Sequence, residues 1–130
     1  MIILKPKKHE PIKMKSFKQE YSFEQRKAEN DQIRQKFPNV VPVILFIDKI
    51  EQNYRRKYLV PSGFTMAQLM LYFREKKTIS SRDGLYVMIN DSVIPQMSLT
   101  IGELDRQHKS TDGFLYVSLF QESIFGFSCS

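Results

Sequence analysis

The chain has 130 residues, 42% of them hydrophobic and 26% charged, with 20 Lys+Arg against 14 Asp+Glu. That length supports one domain with its own core and no obligatory disulfide or metal, and no apolar run approaches the ~20 residues of a membrane-spanning helix. Residues 1–36 hold ten basic and five acidic side chains, which is +5 of the net +6, so the basic character is concentrated at the N-terminal end.

Residues 1–14 place Pro6 and Pro11 among lysines with no sustained period, and they read as a mobile basic arm. Ser16 with Gln19, and Ser22 with Gln25, have the spacing of capping boxes for two successive helices, the second running to about Lys36. That helix is mostly polar, with Ile33 and Phe37 sharing one face, and Pro38-Asn39 stops it. Residues 40–46 are β-branched and apolar, the strongest strand signal in the chain, with Pro42 near the start where a missing donor is tolerated. A second strand spans 57–60 and ends at Pro61-Ser62-Gly63. Thr65 with Gln68 caps a third helix, whose Met66, Leu69, Met70 and Phe73 fall at i, i+3, i+4 and i+7, the stripe of a helix buried on one side.

A third strand at 85–89 turns at Asn90-Asp91, and Thr100 with Glu103 caps a short helix. The last strand, 114–120, is apolar on both faces and belongs inside a sheet covered on both sides. The helix at 66–73 supplies one cover and the N-terminal helices supply the other. Two helices, two strands, a helix, a strand, a helical turn and a strand give an α+β chain. Its core order is that of the ubiquitin-like β-grasp, with two additional N-terminal helices packed on the sheet. The domain is expected over residues 15–126, between the arm at 1–14 and a tail at 127–130.

No enzyme is indicated, because paired carboxylates, a nucleophile beside a base, and a glycine-rich phosphate loop are all absent. Cys129 is the one cysteine, so no internal disulfide is possible, and the two histidines, His9 and His108, lie far apart, so no zinc spacing arises. The start MIILKPKKHEP lacks the form of a secretory signal. A reduced, intracellular protein without metal or cofactor is expected.

Four blocks carry a specific likeness: FEQRKAENDQIRQKFPNVVPVI (residues 23–44), KYLVPSGFT (57–65), NDSVIP (90–95) and DGFLYVSLFQESIFG (112–126). In these the chain resembles the autophagy ubiquitin-like modifiers, the GABARAP and microtubule-associated light-chain family. The resemblance implies trimming by a processing cysteine protease between Gly126 and Phe127. It implies transfer through activating and conjugating enzymes, and amide bonding of Gly126 to phosphatidylethanolamine. The protein would then be cytoplasmic before lipidation and on the autophagosomal membrane after it. The catalytic residues would all belong to partners, and nucleic acid is not an expected ligand.

The resemblance further implies a groove for cargo receptors carrying an aromatic-x-x-aliphatic motif. Its aromatic pocket matches Glu29, Ile33, Pro42, Ile44, Lys57, Leu59 and Phe114. Its aliphatic pocket matches Phe37, Val60, Pro61, Phe64, Leu69 and Tyr72. Residues 57–60, including Tyr58, are expected to form a sheet edge that accepts an extended peptide as an added strand. On that expectation, Tyr58→Ala with Leu59→Ala weakens binding strongly and leaves the fold intact. Core packing is an equal account of Ile44 and Leu69. Departures from the family pattern lie at Val40, Tyr86 and Met88, and in a shorter loop between the first two strands. Two other readings stay open: a non-conjugated β-grasp interaction module, and an anionic-surface binder using the basic N-terminal face.

Overall fold

Residues 2–4, 16–48, 53–76 and 83–123 are described by the computed structural model. They form β1 (Ile2–Leu4), α1 (Phe17–Glu20), α2 (Phe23–Lys36), β2 (Val40–Asp48), β3 (Asn53–Pro61), α3 (Met66–Lys76), β4 (Asp83–Ile89), α4 (Ile101–His108) and β5 (Leu115–Ser123). Five strands make one sheet in the order β1-β3-β2-β5-β4. The pair β2–β5 is parallel, and the other three pairs are antiparallel. This is the ubiquitin-like β-grasp, extended by one strand at the β3 side.

Period two on the strands sorts their side chains onto two faces. Val41, Val43, Leu45 and Ile47 of β2, Tyr58 and Val60 of β3, and Leu115, Val117 and Leu119 of β5 face one way. They meet Met66, Leu69 and Phe73 of α3 and Ile101 and Leu104 of α4 in the main core. Burying one such side chain fully contributes roughly 1.5–3 kcal/mol, so this face carries most of the stability. Ile44 points the other way and packs with Phe114 and with Phe17 of α1, joined by half-buried Ile33, Tyr21 and Tyr116. The expected double cover of the sheet is therefore present, with a large core on one face and a small aromatic one on the other. Phe17 makes an edge-on contact with Phe114 at 5.3 Å between ring centroids.

The helix starts form where the local chemistry places them. Ser16, Ser22 and Thr100 each complete a capping box with Gln19, Gln25 and Glu103, and Thr65 exchanges the same two bonds with Gln68 at 2.9 and 3.1 Å. At the fourth site the bond from the Thr100 backbone, followed by that from its hydroxyl, lowers the Glu103 pKa. Thr100→Ala is expected to cost about 1 kcal/mol in urea unfolding. A lowered folded-state pKa stabilises above the unfolded carboxyl's pKa and is lost as pH falls through the folded one. The deficit of the variant should therefore shrink in acid.

Two expectations are corrected. Residues 2–4, read as part of a mobile arm, are a strand; the other residues of the 1–14 arm lie outside those described. Over residues 57–59 the expected edge is not free, because β1 lies on the side of β3 away from β2, and the outermost strands are β1 and β4.

Candidate docking edge on strand β3

Strand β3 is paired on both sides over residues 57–59. On one side Lys57, Tyr58 and Leu59 stand opposite Ile44, Val43 and Pro42 of β2. On the other they stand opposite Leu4, Ile3 and Ile2 of β1. The alternation of β3 decides what each position can offer a ligand. Tyr58 and Val60 point into the main core, fully buried, and the Tyr58 ring meets Phe73 edge-on at 5.1 Å. Tyr58 thus has only backbone to give to an added strand. The expectation that its truncation spares the fold is overturned, since losing a buried aromatic ring costs about 3–5 kcal/mol.

Leu59 and Lys57 lie on the face of the N-terminal helices. Lys57 is ion-paired with Glu29 of α2 and lies 5.4 Å from the centre of the Phe17 ring and 6.0 Å from that of Tyr21. Lys57, expected in the aromatic pocket, is therefore already engaged by a carboxylate of the same chain, and it ties α2 to β3. The structure brings Glu29 and Lys57 together and sets Ile33 beside the Ile44–Phe114 cluster. Pro42, Ile44, Leu59 and Phe114, the rest of the expected aromatic pocket, are buried. Of the aliphatic set, Phe37 is exposed, Pro61, Phe64 and Tyr72 are half-buried, and Val60 and Leu69 are fully buried. A cavity of about 500 Å³ opens instead across the sheet face beside α1, lined by Phe17, Ile44, Phe46, Tyr116 and Phe120. Ile44 is the one expected docking residue in its wall.

Two buried ionic clamps, which sequence reasoning missed, hold the helical wall of the site. Asp112 is fully buried just ahead of β5. It accepts from the Arg26 guanidinium of α2 at 2.8 Å, from the Phe114 N–H at 3.0 Å and from the Tyr116 hydroxyl at 2.5 Å. Burial first, and then that bond to Asp112, raise the Tyr116 pKa. About two turns further along α2, Arg34 forms a forked pair with Asp105 of α4 at 2.9 and 3.0 Å and donates to the Gly113 carbonyl at 2.8 Å. Gly113 has φ +96°, and a Cβ there would lie 2.1 Å from Oδ1 of buried Asn30. Only glycine lets α2 approach this closely. The Arg34–Asn30 spacing of four on one helix was the available sequence signal; the partners on α4 and before β5 were not.

The departures from the family pattern are located as well. Val40 stands opposite Pro61 at the start of the β2–β3 ladder. Tyr86 is 55% exposed on the outer strand β4. Gly126 and Phe127 lie outside the described residues, three and four positions past the end of β5.

Comparison with known proteins agrees with this architecture. Residues 25–126 match a family model described as autophagy protein Atg8, ubiquitin-like. The chain is 38% identical over 117 residues to autophagy-related protein 8 of Candida glabrata, covering 86% of this chain and 97% of that one. It is 37% identical over 116 residues to the Mycosarcoma maydis protein of the same name, covering 85% and 96%. The crystal structure of Trypanosoma brucei ATG8 superposes with a TM-score of 0.74 at 30% identity, over 88% of this chain and all of that one. Shared sequence across the helical wall, the β2–β3 hairpin and the segment up to Gly126, on a matching fold, makes this chain a member of the Atg8 family of ubiquitin-like autophagy modifiers.

Proposed function

We propose that this chain is a conjugated modifier: it is cut between Gly126 and Phe127 by a cysteine protease, joined through Gly126 to phosphatidylethanolamine, and used on the autophagosomal membrane to hold cargo receptors. Before conjugation it is cytoplasmic. The observation that carries the reading is that the family match stops at Gly126. That glycine follows closely on β5, whose pairing with β4 runs to Ser123. A protease cleft and an activating enzyme need a short approach that leaves the folded body, and a terminal residue without Cβ to fit a narrow channel.

The chemistry is acyl transfer. The Gly126 carboxylate displaces pyrophosphate from a nucleoside triphosphate to give an acyl adenylate. A partner's cysteine thiolate displaces the nucleotide to give a thioester. The amine of phosphatidylethanolamine then displaces the thiol and forms the amide. Two acyl chains anchor stably where one gives marginal binding. Among the described residues no helix is long and apolar enough to cross a membrane, so the conjugated lipid is the anchor in this reading. Receptor motifs with an aromatic-x-x-aliphatic core and acidic flanks add as a strand along β3 in place of β1, which otherwise pairs with residues 57–59, with Phe37, Phe64 and Tyr72 bordering the aliphatic end.

Intact-mass analysis of the membrane-bound chain from cells carrying the conjugation enzymes tests this. The expected mass is that of a chain ending at Gly126 plus one phosphatidylethanolamine, less one water. A membrane-bound chain that keeps residues 127–130 refutes it.

A further inference from the structure

We infer that β1 is a built-in competitor for the docking edge: residues 2–4 occupy the side of β3 on which a receptor peptide would add, so the chain binds such peptides weakly until β1 leaves. This rests on the docking reading above and adds its regulation.

The register carries the inference. Leu4, Ile3 and Ile2 stand opposite Lys57, Tyr58 and Leu59, the same three positions that an added strand would need. With β2 on the other side, the backbone of β3 has no free ladder face at these residues. Leu59 is only 1% exposed, so it too has no surface left for a ligand side chain. A second strand cannot share that edge, and β1 and a peptide exclude one another.

The occupant is suited to leaving. It spans three residues against the nine of β3, so few ladder bonds hold it. Each of those bonds exchanges with bonds to water, and each ordered residue costs entropy, so the closed state is held by a small margin. The segment is apolar enough to favour a strand, being Ile-Ile-Leu. Pro6, two residues on, has no N–H with which to lengthen the ladder. Residues 5–15 join it to Ser16 at the start of α1, a tether of eleven residues. A tether that short keeps a weak strand at a high effective concentration, which is what an internal competitor requires. A closed state populated nine times in ten lowers apparent peptide affinity about tenfold.

The test is a calorimetric titration with a short synthetic peptide that has a Trp-x-x-Leu core and acidic flanks. Four proteins are compared: the full chain, a chain lacking residues 1–4, and full chains carrying Ile3→Pro or Leu4→Pro. Successive strand residues direct their N–H groups to opposite sides, so one of the two prolines must remove a ladder donor to β3. The truncated chain and that proline variant are expected to bind about tenfold tighter than the full chain, with thermal midpoints close to its own. A synthetic peptide of residues 1–8, added in excess to the truncated chain, should lower its affinity for the receptor peptide. Equal affinity in all four proteins overturns the competitor role and leaves the docking edge standing. Weaker binding without residues 1–4 also overturns it, because the peptide would then be adding to β1. No binding by any of the four overturns the docking edge and the competitor together.

Discussion

A chain carrying Gly126→Ala is expected to remain full length and absent from membranes in cells that conjugate the wild type, a loss that should be complete. The methyl group adds a Cβ at the residue that the protease cleft and the activating enzyme must both pass. The effect cannot be shared with another glycine. Gly63 lies in the turn after β3, Gly84 within β4, Gly102 within α4 and Gly113 two positions before the first residue of β5. Cutting after any of these four would remove β5, whose Leu115, Val117 and Leu119 lie in the main core. Gly126 alone leaves the described fold whole. Cys129→Ser is the matched control. On the modifier reading it lies beyond the cut, so lipidation should be unchanged, with every thioester on a partner's cysteine. Lipidated Gly126→Ala protein, measured by membrane fraction and intact mass together, refutes the modifier reading. The same variant should still bind receptor peptide, since it leaves every residue of β3 and the helices unchanged.

What was legible in the sequence was what depends on neighbours along the chain. The four capping sites, at Ser16, Ser22, Thr65 and Thr100, each need two residues three apart. Each forms with both reciprocal hydrogen bonds. The α3 stripe needs only a period, and Met66, Leu69 and Phe73 are buried as that period requires. The strand β1 had no such signal. Three apolar residues have no readable period, and their order comes from pairing with β3 more than fifty positions away. The edge status of residues 57–60 depended on that same pairing and was misread with it. Tyr58 was legible and overlooked, since alternation with Lys57 and Leu59 already sends it to the opposite face. The clamps of α2 were out of reach: Arg26 and Asp112 are 86 positions apart, and a charged residue on a polar helix looks solvated until its partner is seen.

Those clamps lead to the other large effect, the loss of the helical wall in Asp112→Ala. The wild-type carboxylate is fully buried and satisfies Arg26, the Phe114 N–H and the Tyr116 hydroxyl at once. Truncation strands all three, and the Arg26 side chain, only 11% exposed, becomes a charge held near the interior without its partner. Breaking a buried pair on one side costs about 3–5 kcal/mol. That loss is a large fraction of the roughly 5–15 kcal/mol available to a domain. It should fall unevenly. The main core is built from the opposite face of the sheet with α3 and α4 and contains no residue of α1 or α2. The wall keeps the Arg34–Asp105 pair, the Glu29–Lys57 pair and the Phe17 cluster, too little to hold a mostly polar helix against the sheet. Amide exchange is therefore expected to accelerate by orders of magnitude over residues 17–36 while β2 and β5 stay protected. With α2 goes Glu29, the partner of Lys57, and Ile33 beside Ile44, so receptor peptide should no longer bind. Conjugation through Gly126, three positions in sequence past the end of β5, should continue. Asp112→Asn loses the charge and turns one of the two accepting oxygens into a donating NH2, but keeps one oxygen acceptor for part of the clamp, so its loss should be smaller, about 1.5–3 kcal/mol. Protection of residues 17–36 unchanged in Asp112→Ala would show that the aromatic cluster, and not the ionic clamp, seats the helices.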